Sequence, residues 1–223
     1  MQERLLYLKS SASDIESYEP FFKEVNTAPG KLSVCFITTA ANPARNKDFI
    51  QNDLEAFSKL GFAQVVIYDI AGKDKELLSS DLGNFDIIFL SGGSSFHLLK
   101  HMRNSGFDEV ITRLLDKRVI YMSSSAGSIA AGSTAVVANW RHPERRPITR
   151  PKYTVGLGLV PFAISPHLND NNREAIYRLA SLVDFPVVAL TDRQAVLSVN
   201  GQAKIVGEGE ETVFNNIPGL LDL

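Results

Sequence analysis

A serine hydroxyl becomes a nucleophile only when a base can take its proton, so the serines that matter are those a fold would hold in the open beside a histidine. Ser125 is such a residue. It lies in Val119-Ile120-Tyr121-Met122-Ser123-Ser124-Ser125-Ala126-Gly127-Ser128-Ile129-Ala130-Ala131-Gly132, where an apolar run typical of a buried strand gives way within two residues to small helix formers. At that junction the hydroxyl stands at the tip of a sharp strand-to-helix turn, above the unpaired N–H groups of the new helix. The chain has four histidines that could serve as the base. His97 and His101 share one face of a helical segment, but no carboxylate completes a metal signature there, and packing or surface roles account for them. His142 falls in a charged stretch. His167 follows Ser165-Pro166 at the end of a predicted strand, on the rim where the Ser125 turn belongs. Asp192 stands at a further strand terminus, after Val187 to Leu190, either to orient a histidine or to cap the turn into the next strand.

The order of these groups excludes one large class. In α/β-hydrolases the acid precedes a C-terminal histidine, whereas here no histidine follows His167, and Ser123 replaces the first glycine of G-x-S-x-G. A lipase or esterase of that kind is disfavoured. A second turn belongs on the same rim: Ser91-Gly92-Gly93-Ser94-Ser95 joins an apolar strand to a helix start. Its glycines either bring backbone N–H groups close to an oxyanion or phosphate, or simply allow close helix packing.

The elements that must position these groups alternate. Apolar β-rich runs at Leu5 to Leu8, Leu32 to Thr38, Ala63 to Ile70, Asp86 to Leu90 and Val119 to Met122 are separated by segments with helical spacing. Those segments are Asp14 to Val25, Ala44 to Leu60 and Phe96 to Leu115, the last broken at Gly106. Such alternation predicts an α/β fold: a doubly wound, mostly parallel sheet with helices on both faces and function at the carboxyl ends of its strands. The remainder reads as Leu159 to Ile164, a helix from about Asn171 to Leu182, a strand at Val187 to Leu190, and a C-terminal β-hairpin around Asn200-Gly201. Between Val136 and Lys152, charges, prolines and the only tryptophan mark a long loop, suited to a lid or to a dimer contact. We expect a single domain over residues 1–223.

Four stretches together, Ser91 to Leu99, Ser123 to Ser128, Ser165 to His167 and Ala189 to Asp192, resemble the peptidase E family of serine peptidases, the aspartyl dipeptidases. Members of that family are similar to class I glutamine amidotransferase domains with serine in place of the nucleophilic cysteine, and cyanophycinases are related. The resemblance implies that Ser125 is the nucleophile, His167 the base and Asp192 its orienting acid, with the backbone N–H groups of Gly93 and Ala126 as oxyanion hole. It further implies Arg173 and Ser94 as substrate-binding residues, a small peptide with N-terminal aspartate as substrate, and no metal or organic cofactor. Ser94-Ser95 stand where the family usually has Asn-Thr, and Ser123-Ser124 where it has Gly-x.

Composition fits this reading. A net charge of −2 and a pI near 6.1, with lysines and arginines scattered, argue against nucleic acid as a partner. No apolar run approaches the roughly 20 residues of a membrane span, and the start lacks a signal-peptide pattern, so a cytoplasmic protein is expected, with no membrane partner and as monomer or homodimer. Cys35, the single cysteine, lies in a strand-like run and reads as a core hydrophobe. The alternatives are a non-catalytic small-anion-binding or regulatory protein on the same fold, and a cyanophycinase-like or isoaspartyl amide hydrolase.

Overall fold

A computed structural model describes residues 4–140, 153–219 and 221. Five strands form a parallel array: β1 (Leu5–Lys9), β2 (Ser33–Ile37), β3 (Gln64–Tyr68), β4 (Ile87–Leu90) and β5 (Ile120–Ser124). Two antiparallel strands, β8 (Gln194–Val199) and β9 (Gln202–Gly207), extend it into a sheet of order β3-β2-β4-β5-β1-β8-β9. The turn between β8 and β9 is the expected Asn200-Gly201 pair, both with positive φ (54° and 86°), the conformation a two-residue hairpin requires.

Alternate side chains of each central strand enter two different cores, because successive residues of a strand point to opposite faces. Leu6, Leu8, Cys35, Ile37, Ile88, Leu90 and Tyr121 pack under α3 (Lys75–Leu82), α4 (Ser95–Ser105), α5 (Phe107–Leu115) and α6 (Ala126–Ala131). Tyr7, Val34, Phe36, Ile87, Phe89 and Met122 pack under α1 (Glu19–Val25) and α2 (Asp48–Leu60) on the other face. Helices on both faces make the sheet doubly wound, as the alternating pattern predicted. Cys35 is fully buried, and burial pushes its thiol up to about 12, so it is a core residue with no nucleophilic thiolate.

The strands after residue 160 divide between sheets. β6 (Ala163–Ser165) and β7 (Val187–Ala189) pair in parallel, β10 (Thr212–Phe214) pairs antiparallel to β7, and these three make a small separate sheet order β10-β7-β6. α7 (Arg173–Ala180) links β6 to β7. α3 and β10 were not expected from the sequence, and the helices α2 and α7 are shorter than their apolar patterns suggested. Within the stretch from Val136 to Lys152, a single 3₁₀ turn spans Val136–Asn139 and residues 141–152 lie outside the described residues. Among the described residues no helix is long and apolar enough to cross a membrane.

Candidate active site

Ser125 sits between β5 and α6 with φ 46° and ψ −105°, outside the regions that a residue with a side chain normally adopts. Such a conformation costs about 1–3 kcal/mol and persists only where the surroundings over-determine it. They do so here from both sides. The Ser125 N–H lies 3.1 Å from the carbonyl oxygens of both Lys9 and Ser10 at the end of β1, and the Ser125 carbonyl accepts the Ile129 N–H of α6 at 3.0 Å. Below the turn the buried Ser123 hydroxyl meets that of Ser128 at 2.9 Å, and Ser128 donates to the Lys9 carbonyl at 2.7 Å. Ser123 is thus tied inward, while Ser124 lines the cavity in front of Ser125.

His167 and Asp192 reach this turn from the small sheet. His167 follows β6 with φ 64°, and Asp192 lies where the chain leaves β7 for β8. The imidazole Nε2 is 2.8 Å from Ser125 Oγ, and Nδ1 is 2.6 Å from Asp192 Oδ1. Three further side chains, none singled out from the sequence, fix the histidine. The Ser10 hydroxyl accepts the His167 N–H at 2.8 Å and lies 3.1 Å from Asp192 Oδ1, and Asn169 and Asn172 donate to the His167 carbonyl at 3.0 and 2.8 Å. A hydroxyl, an imidazole and a carboxylate in series can move a proton from oxygen to nitrogen and hold the imidazolium that forms.

The glycine turn closes the other side. Gly93 has φ 137°, and a Cβ there would stand 2.2 Å from the Ala40 carbonyl oxygen, so only glycine fits. A Cβ on Gly92 would be 3.5 Å from Ser125 Cβ and 3.8 Å from the Phe49 ring, which places this loop directly against the serine. We expect Gly93→Ala to lower stability by about 2–4 kcal/mol, seen as a reduced urea midpoint at unchanged m-value. Ala126, the residue after Ser125, opens α6 and is buried. Ser94 caps α4, its oxygen accepting the His97 N–H at 3.3 Å. Arg173 opens α7, 3.4 Å from the Tyr177 hydroxyl and 3.7 Å from an Asp170 oxygen. Neither Ser94 nor Arg173 is among the residues lining the cavity at Ser125.

That cavity, of roughly 240 Å³, is lined by Ser10, Ser11, Ala12, Phe49, Asp53, Gly92, Gly93, Ser124, Ser125 and His167. It is smaller than the roughly 300–1,000 Å³ of sites for drug-sized ligands, and so suits one or two amino-acid residues. His97 and His101 lie apart on α4 with ring centroids 4.4 Å from each other.

Known proteins bear on what this arrangement serves. An uncharacterized peptidase of Pasteurella multocida is 26% identical over 207 residues, covering 90% of this chain and 96% of its own. Peptidase E of Salmonella arizonae is 27% identical over 199 residues, covering 85% and 82%. A solved structure from Listeria monocytogenes EGD-e, provisionally described as a peptidase E, superposes with a TM-score of 0.78 over 93% of this chain and all of its own; at 21% identity that likeness speaks to the fold. The model of peptidase family S51 matches residues 5–206, nearly the whole span from β1 to the end of the hairpin. The chain therefore belongs to peptidase family S51 and is a serine-type peptidase of the peptidase E kind.

Proposed function

We propose that this peptidase hydrolyses the peptide bond after an N-terminal aspartate in dipeptides or short peptides, with Ser125, His167 and Asp192 as its catalytic triad. The observation that carries the reading is the unbroken line from Ser125 Oγ through His167 to Asp192, at 2.8 and 2.6 Å, with Ser125 and His167 lining a cavity of dipeptide size. Ser125 Oγ attacks the carbonyl carbon as its proton passes to His167 Nε2. The tetrahedral oxyanion is met by the N–H groups of Gly93 and Ala126, and collapses to an acyl-enzyme as His167 returns the proton to the leaving amine. Water, deprotonated by His167, then releases the acid and restores Ser125. An oxyanion donor contributes about 10²–10³-fold in kcat. Gly93→Ala, which must displace its own N–H, should lose that factor besides its stability.

Selectivity for aspartate falls in this reading to Arg173, whose planar fork suits a carboxylate, with Ser94 beside the glycine turn. The test is a panel of Asp-X, Glu-X, Asn-X and isoaspartyl-X dipeptides. Wild type should prefer Asp-X, and Arg173→Ala should reduce the preference for Asp-X over Asn-X by about 10- to 100-fold, the worth of one charge-assisted hydrogen bond. An unchanged ratio removes Arg173 from that role. Turnover of isoaspartyl-X alone would instead make the protein an isoaspartyl hydrolase on the same machinery.

A further inference from the structure

Asp53 is the only buried carboxylate among the described residues, with 6% of its surface exposed, and the chemistry above does not use it. α2 carries Phe49, Asp53 and Phe57 on one face at four-residue spacing. Phe57 is buried against Phe36 and Phe89, with ring centroids 5.2 and 4.6 Å away. Phe49 meets the Gly92 turn, and Asp53, between the two, lines the cavity that holds Ser125 and His167. An apolar residue at this position would continue the stripe with no desolvation cost, so a carboxylate here needs a partner.

The protein supplies an incomplete one. Among the described residues no donor hydrogen-bonds the Asp53 carboxylate and no cation lies within 4 Å of it. Lys9, fully buried at the end of β1, attracts it through space. Its ammonium, however, is held by the Asp14 carbonyl at 2.9 Å and by the Ser17 hydroxyl, and lies 3.7 Å from the Tyr18 ring centroid. Burial raises the Asp53 carboxyl to about 7 despite the opposing pull of Lys9, a group that an arriving cation would hold ionised.

Resting on the reading that the enzyme removes an N-terminal residue, we propose that Asp53 receives the free α-ammonium group of the substrate. In such a substrate the ammonium nitrogen is two bonds from the carbonyl carbon that Ser125 attacks, so its counter-ion must share the cavity with the serine, as Asp53 does. The pairing also explains an exopeptidase limit. A peptide extended or acylated at that nitrogen brings no positive charge and leaves the carboxylate buried and unpaired, and sites with an unmet buried polar group reject such ligands strongly. Asp53 is then a specificity-determining residue.

The test compares Asp-Leu with succinyl-Leu, the same molecule without its ammonium group, on wild type and Asp53→Asn, by the rate of leucine release. Wild type should favour Asp-Leu by about 10- to 100-fold in kcat/KM, and Asp53→Asn should bring that ratio close to one through loss on Asp-Leu. A variant that loses the same factor on both substrates would show that Asp53 acts through packing or through Lys9, and overturns the assignment. An unchanged ratio overturns it too. Wild type that releases leucine from neither compound refutes the N-terminal aspartyl reading itself, and the ammonium site with it.

Discussion

Ser125→Ala is expected to lower kcat for aspartyl dipeptides by about 10⁶-fold while leaving the fold intact, and His167→Ala to do the same. In the proposed triad the two groups act as one unit, because the hydroxyl without a base is inert and the imidazole without a hydroxyl has nothing to activate. The double substitution should therefore cost no more than either alone. Stability should change by about 1 kcal/mol or less, the worth of the single 2.8 Å hydrogen bond that is removed. Alanine also inherits the strained backbone at φ 46°, which the Lys9 and Ser10 carbonyls hold through the amide rather than the side chain. Stopped-time leucine release together with a urea melt decides the matter. Retained activity in either single variant would remove Ser125 and His167 from the chemistry, and losses that multiply would mean that they act in separate steps.

The next largest effect should follow from Asp192→Asn, which we expect to lower kcat by about 10³–10⁴-fold. A carboxylate 2.6 Å from Nδ1 holds the proton on that nitrogen and leaves Nε2 bare to accept from Ser125. Asparagine fills the same space, yet its amide nitrogen can face Nδ1 as a donor and turn the imidazole to the wrong tautomer. The Asp192 side chain is exposed to water, and Ser10 still holds the His167 backbone, so the ring should keep its place while losing its function. The alternative is that Asp192 only caps the turn into the next strand. The sequence allowed that role, and a variant with full kcat and a lowered melting temperature would establish it.

Much of this site is readable from the chain because its parts lie at strand ends, and strands announce themselves through short apolar runs. Val119 to Met122 leading to Ser125-Ala126-Gly127, Phe89 to Leu90 leading to Gly92-Gly93, and Val187 to Leu190 leading to Thr191-Asp192 all place the site's candidate groups two or three residues beyond an apolar run. The division into two sheets is not readable in that way. β6, β7 and β10 are three residues each, and their partners are chosen by contacts between distant segments rather than by any local pattern. α3 escaped notice because Lys75–Leu82 combines weak apolar spacing with two adjacent serines, and its clearest signal is the capping Asp74, which accepts the Leu77 N–H at 2.9 Å. Ser10, Asn169 and Asn172 are ordinary polar residues whose value lies in which atom they face. Asp53 had a usable signal: one charge between Phe49 and Phe57 on the face that α2 turns to the sheet.

The serine belongs to the large sheet, whereas the histidine follows a strand of the small one and the aspartate lies where the chain passes from one to the other. The imidazole therefore meets the Ser125 hydroxyl only where the small sheet lies against the end of the large one. With these three residues as the proposed triad, hydrolysis waits on the docking of two short strands that carry none of the nucleophile's own turn.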